Sequence, residues 1–192
     1  MIVKPDPKWS NPRNTIACKY RKNDFGYVTH GSLAALQVLK LFDLAPSALK
    51  DLTVLDYGCG TGREARIMSA VFKQVIAYDP TANCIQEFRK EIAQCEREFP
   101  NIFMYTDIEK APECDFGYSL HVMEHLNEID ARIMMEWLRK KVRKTLMLSY
   151  AKRNCPVVAS YLTAEQIEQD KIRNQNPDRG VRWRIIHFKE HE

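Results

Sequence analysis

Val54-Leu55-Asp56-Tyr57-Gly58-Cys59-Gly60-Thr61-Gly62 decides how this chain is read. An apolar run ends at Asp56, and glycines follow at positions 58, 60 and 62. Glycine turns the chain tightly and, lacking a Cβ, lets a ligand come close. Apolar residues resume at Ala65, Met68, Val71 and Phe72, a spacing that predicts a helix over 62–72. Strand, glycine turn and helix, in that order, form the unit with which doubly wound α/β sheets hold nucleotide-like ligands.

The rest of the chain keeps that rhythm. Strands are expected at 53–57, 74–79, 102–106, 115–120 and 145–150. A helix over 82–98 carries Ile85, Phe88, Ile92, Cys95 and Phe99 at steps of three and four. Another over 127–142 carries Ile129, Ile133, Trp137 and Leu138. Strands alternating with helices predict an α/β fold: a doubly wound, mostly parallel sheet with helices on both faces. Upstream, 1–26 is irregular, with Pro5, Pro7 and Pro12, and 31–43 is a helix with Ser32 as N-cap. Downstream, Thr163, Ala164, Glu165 and Gln166 form a capping box that opens a helix to 174. A turn at 176–180 and a strand at 181–188 follow. A length of 192 residues suits one domain over 1–192: an arm and helix in 1–45, a core in 50–150, and a closing helix and strand in 151–192.

Composition narrows the class. Hydrophobic residues make up 45% and charged residues 28%, enough for a sizeable core. No apolar run reaches membrane-spanning length, and residues 1–9 lack the apolar stretch of a secretory leader. The six cysteines, at 18, 59, 84, 95, 114 and 155, form no C-x-x-C pair, so reduced thiols in a cytoplasmic protein are expected. The net charge of +4 gathers in two places. Lys4, Lys8, Arg13, Lys19, Arg21 and Lys22 form either a solvated arm or a phosphate-meeting one. Arg139, Lys140, Lys141, Arg143 and Lys144 close a helix, where cations suit the macrodipole.

The glycine loop is not a dinucleotide fingerprint. G-x-G-x-x-G needs its third glycine at 63, where this chain has Arg. Asp56 ahead of the loop repels an anion and favours a ligand with an amino group and a sulfonium. Asp56, Asp79 and Asp107 close three successive strands and so open on one crevice, where a carboxylate can accept two ribose hydroxyls. D-x-G-x-G-x-G over 56–62 resembles motif I of the class I S-adenosylmethionine-dependent methyltransferases. The segment 115–126, DFGYSLHVMEHL, resembles their fourth-strand motif, with Met123 in the usual Leu place. The resemblance covers 50–150 and implies a Rossmann-like sheet with S-adenosylmethionine as cofactor. It carries Asp79 over to the ribose, Pro80 to the adenine face, and Asp107 with Ile108 to the adenine amino group. It implies that Asp56 acts on the amino end of the methionine moiety, through water or the loop backbone. Gly58, Cys59, Gly60, Gly62 and Leu120 complete the implied cofactor set. That family adds two strands after the one at 145–150, the last antiparallel. Here either 157–162 supplies a short strand or the sheet is abbreviated at its C-terminal edge.

His121-Val122-Met123-Glu124-His125 also spells the zinc-protease pattern H-x-x-E-H. That pattern needs a helix, and here it directly follows a strand. Some methyltransferases hold a divalent metal with E-x-x-E-H at this point, but His121 replaces the first Glu, and no metal is expected. Glu124 and His125 then cap the following helix or orient the loop. His121 and His125 are the candidate general bases. A base is optional, because positioning and desolvation can supply much of the acceleration.

No D-P-P-Y or N-P-P-Y segment is present, which disfavours DNA N-methylation; Cys155 before Pro156 reads as a packing residue. Residues 20–27 mix Tyr20, Phe25 and Tyr27 with cations and form either a lid or an arm. The expected activity is methyl transfer to an O or N nucleophile of a small molecule. Two alternatives stay open: an RNA end or base as acceptor, or an inactive cofactor-binding partner subunit.

Overall fold

The structure is a computed structural model that describes residues 36, 40, 46–95, 98–151, 155–165, 167 and 181–187. After α1 (Pro46–Leu49) come β1 (Thr53–Tyr57), α2 (Arg63–Met68), β2 (Gln74–Tyr78), α3 (Ala82–Ala93) and β3 (Ile102–Tyr105). Then follow β4 (Cys114–Ser119), α4 (Glu128–Lys141), β5 (Val142–Ala151), α5 (Cys155–Ala159) and β6 (Val181–His187). Among the described residues the sheet has six strands in the order β3-β2-β1-β4-β5-β6. The first five are parallel, and β6 runs antiparallel along β5. Strand order reverses between β1 and β4, so the crevice at their carboxyl ends is the topological switch point.

Both faces of the sheet are covered, which is why β1 and β2 are buried from their second residue onward. Alternate side chains go to opposite faces. Leu55, Tyr57, Ile76, Tyr78, Leu146 and Leu148 pack with Met134, Met135 and Leu138 of α4 and Val157 and Val158 of α5. Val54, Val75, Ala77, Phe116 and Met147 pack with Ala65 and Met68 of α2 and Ile85 and Phe88 of α3.

Some boundaries differ from those expected. α2 stops at Met68 rather than 72 because the chain tightens there, Ala70 N and Val71 N bonding three residues back to Ile67 O and Met68 O at 3.1 and 2.9 Å. The Asn101 amide donates to Ser69 O and Phe72 O at 2.8 and 3.0 Å, and Ser69 Oγ donates to Arg66 O at 2.7 Å. α3 ends at Ala93, short of 98. α4 presents part of the expected face, with Leu138 in the core, but the rest of its buried stripe differs. Ala131, Met134, Met135 and Leu138 are buried, while Ile129 is 68% exposed and Ile133 and Trp137 are half-buried. The stripe i, i+3, i+4, i+7 beginning at Ala131 meets the sheet. The neighbouring stripe through Ile129, Ile133 and Trp137 flanks it, with the Lys140 ammonium 5.1 Å above the Trp137 ring. Residues 157–162 are not a strand: α5 and a turn occupy them, with Tyr161 N bonded to Val158 O.

Cys59, Cys84, Cys95 and Cys114 are free thiols, three of them buried. Residues 36 and 40 are helical and exposed. Ser32 and the rest of 31–43, the arm, the lid over 20–27, the turn at 176–180 and the helix beyond 167 lie outside the described residues, as do Cys18 and the Cys155 side chain. Among the described residues no helix is long and apolar enough to cross a membrane.

Candidate active site

The glycine loop folds over the end of β2. Gly58 N and Cys59 N both donate to Tyr78 O, at 2.7 and 3.0 Å. Gly58, Gly60 and Gly62 have φ of 80°, 55° and 77°, in the left-handed region that side chains disfavour. A Cβ on Gly58 would lie 2.2 Å from Val122 Cγ2, and one on Gly62 would lie 1.9 Å from the Phe88 ring. At these two positions protein, not ligand, fills the space a side chain would take. Gly58 seats the segment after β4, and Gly62 seats α3 against the start of α2.

Asp79 ties this loop to β2. Its Oδ2 accepts from Gly60 N at 2.9 Å and its Oδ1 from Thr81 N at 2.8 Å. Burial raises its pKa, and the two amide hydrogen bonds pull it back. The Thr81 side chain adds a third hydrogen bond, and a carboxylate has about four lone-pair directions, so it can still accept a hydroxyl.

Asp56 is placed differently. It points to the α2 and α3 side of the sheet, in register with Tyr118 of β4. Burial raises its pKa well above the carboxylate range; Glu64 adds to the rise and the Tyr118 hydroxyl opposes it. The hydroxyl is near enough to act on the carboxyl, yet Asp56 Oδ2 and Tyr118 Oη make no hydrogen bond of good geometry. A buried carboxylate oxygen in that condition suits a ligand that brings a cationic donor. Asp56 and Asp79 both act on the Cys59 thiol, whose pKa rises first through burial and then through their charges.

Asp107 stands farther out. It caps a 3-10 turn over Ile108–Lys110, its Oδ1 accepting from Glu109 N at 3.0 Å, with Lys110 Nζ 3.8 Å from Oδ2. Ile108 is buried, and Pro80 and Leu120 are half-buried, Leu120 against the α2 and α3 side of the core. Asp56 and Asp79 are thus brought together around the loop, while Asp107 lies toward the β3 edge.

On the other side of the switch point is His121. Among the described residues it alone outside glycine has positive φ, 58°. Such a backbone costs energy and persists where surroundings hold it. Its N–H donates to Ser149 Oγ of β5 at 2.7 Å, and its Nδ1 lies 2.9 Å from Glu124 Oε1. The hydrogen bond to Glu124 raises the imidazole pKa against an opposing effect of burial. His125 Nε2 lies 4.0 Å from the same oxygen. Glu124 and His125 belong to a 3-10 turn over Met123–His125, not to the helix a zinc protease needs. α4 is capped instead by Asn127, whose side chain accepts from Asp130 N at 2.9 Å. Among the described residues no group of three His, Cys, Asp or Glu is arranged to hold a metal ion.

Thr81, Tyr118, Val122 and Ser149 take part without having been singled out from the sequence. Tyr118 follows from β1–β4 register and Ser149 from its approach to His121, both long-range facts.

A methyltransferase-domain family model matches residues 30–191. No curated protein matches the chain by sequence. The magnesium protoporphyrin IX methyltransferase from Synechocystis PCC 6803 with bound SAM superposes at a TM-score of 0.62, with 16% identity, over 95% of this chain and 90% of that one. The DhpI–SAM–HEP complex superposes at 0.52, with 17% identity, over 95% and 79%. Coclaurine N-methyltransferase bound to N-methylheliamine and SAH superposes at 0.54, with 15% identity, over 78% and 45%. These likenesses are of fold. With the family match spanning most of its length, the chain belongs to the methyltransferase-domain family and is a class I S-adenosylmethionine-dependent methyltransferase.

Proposed function

We propose that the chain transfers a methyl group from S-adenosylmethionine to an oxygen or nitrogen nucleophile of a small molecule, in the cytoplasm. One observation carries this reading: the β1–β4 switch point has the Asp79-tied glycine loop on one side and a carboxylate-held histidine on the other. S-adenosylmethionine, when bound, supplies a methyl group activated by a sulfonium whose leaving group is a neutral thioether. Asp79 would accept from the ribose hydroxyls, and Asp56 would attract the amino end. The backbone of Gly58, Cys59, Gly60 and Gly62 would hold the chain of atoms between them. Pro80, Asp107, Ile108 and Leu120 would border the adenosyl group. His121 would take the acceptor's proton, with His125 as the second candidate.

A small acceptor is favoured over RNA by where the second basic group lies. Lys141 ends α4 and Arg143 lies at the start of β5, the end of the sheet remote from the crevice. Lys141 Nζ donates to Glu109 O at 3.2 Å, and Arg143 pairs with Asp115 at 3.2 Å. These two cations are engaged within the chain. Relatives named for magnesium protoporphyrin IX and coclaurine are in keeping with a small acceptor.

Calorimetric titration with S-adenosylmethionine and S-adenosylhomocysteine tests the reading, followed by methyl transfer to panels of phenols, amines and RNA. Saturable binding and transfer to a small molecule are expected. Absence of binding refutes the cofactor site, and transfer confined to RNA refutes the acceptor class. Tight binding without transfer to any acceptor favours the inactive-subunit reading.

A further inference from the structure

The stretch after β4 contains more structure than a loop needs. His121 sits in the left-handed region, a conformation that costs a non-glycine residue energy. Two contacts help to hold it there. One is backbone: His121 N–H to Ser149 Oγ, 2.7 Å. The other is side chain: Nδ1 to Glu124 Oε1, 2.9 Å. Glu124 is well placed to order the ring, since its own side chain is only 12% exposed against 35% for His121. Both lie at the switch point, where ligands of such sheets bind.

We propose that Glu124 is a positioning residue for His121, fixing both the direction of the imidazole and the nitrogen that carries its proton. A carboxylate can only accept, so the proton of the neutral ring sits on Nδ1 and the lone pair is left on Nε2. A free imidazole has no such constraint. This inference rests on the reading of His121 as the base. It specifies that an acceptor's O–H or N–H proton goes to Nε2 as that bond breaks. The product imidazolium then has one N–H toward the negative Glu124. The same shared oxygen lies 4.0 Å from His125 Nε2, beyond hydrogen-bonding range, which separates the two histidines. The other charged groups that face His121 are Glu64 and Arg63, from the first turn of α2, which act on it in opposite senses.

Nitrogen-detected NMR of the imidazole rings tests this without any acceptor. His121→Asn assigns the His121 signal by its loss. In the wild-type protein the neutral His121 ring is expected as the Nδ1–H tautomer. In Glu124→Gln, which keeps size and removes charge, its titration midpoint is expected to move to lower pH. A wild-type ring with its proton on Nε2 overturns the inference, as does an unchanged midpoint in a folded Glu124→Gln protein. The wild-type tautomer decides the matter even if the variant fails to fold. Calorimetry with S-adenosylmethionine on the same samples keeps the two readings apart. A wild-type protein that binds no cofactor sinks the proposed function, while the ring tautomer still judges Glu124.

Discussion

Asp79→Ala removes acceptors from two sides at once, and the structure separates the consequences. Without cofactor, Gly60 N and Thr81 N lose partners at 2.9 and 2.8 Å. A hydrogen bond to a charged group is worth about 1.5–3 kcal/mol, so the gross loss is roughly 3–6 kcal/mol. Burial opposes this: Asp79 is 9% exposed and its pKa is raised, so relieving its desolvation returns part of the cost. A net destabilisation of about 1–3 kcal/mol is expected, read from urea unfolding at neutral pH. With cofactor, the ribose hydroxyls lose a charged acceptor, worth about 1.5–3 kcal/mol, or about 10- to 150-fold in Kd. A loosened loop could weaken binding by itself, so the decisive assay is a cycle. Wild type and Asp79→Ala are each titrated with S-adenosylhomocysteine and with its 2′-deoxy analogue. If the carboxylate accepts from the ribose, the analogue's penalty in wild type disappears in the variant. Penalties that simply add refute the ribose assignment, whatever happens to stability.

Gly62→Ala is expected to destabilise the protein by roughly 2–5 kcal/mol, from left-handed strain and collision with the Phe88 ring. In a Phe88→Ala background the added cost should shrink, and an equal cost in urea unfolding would show that the ring is not what the new Cβ meets. Asp56 has a folded-state pKa above its unfolded one, so its contribution to stability is fully present below the unfolded value and is lost as pH rises through the raised value. Asp56→Asn should therefore flatten the fall in urea midpoint with rising pH and be more stable than wild type above that window. A wild type no steeper than the variant counts against this. Gln at 139, 140 and 144 together should leave S-adenosylmethionine affinity within about twofold, because a strand's length exceeds the Debye length of about 10 Å. A larger loss in calorimetry would place that patch at the crevice.

What could be read from the sequence was local. An apolar run, glycines at alternate positions and a resumed helical period lie within twenty residues of one another, and β1, the loop and α2 followed from them. Five parallel strands followed from the same alternation. On α4 the periodicity finds Leu138 but not the rest of the buried stripe, because two apolar stripes wind along the helix side by side. Ile129, Ile133 and Trp137 are the more hydrophobic in composition, but Ala131, Met134 and Met135 are the ones the sheet covers. Only the position of the sheet separates the stripes, and no periodicity contains that. Residues 157–162 can be read as a strand for a related reason: Val157 and Val158 are buried whether they lie on a strand or on a short helix.

The site divides along the same line. The residue types at 56, 79, 107, 121 and 125 mark a crevice once the strands are placed, but what each group does there depends on partners distant in sequence. Asp79 meets Gly60 across 19 positions, and His121 meets Ser149 across 28. The alternate glycines illustrate the point most directly. They looked like room made for a ligand, yet Val122 and Phe88 fill the space beside two of them. Their spacing is therefore a packing requirement as much as a binding one. It seats α3 and the segment after β4 against the loop, and that seating puts His121 and Glu124 across from Asp79. A substitution at Gly58 would accordingly disturb the His121 side of the crevice as well as the Asp79 side, because its neighbour Val122 is the residue next to His121.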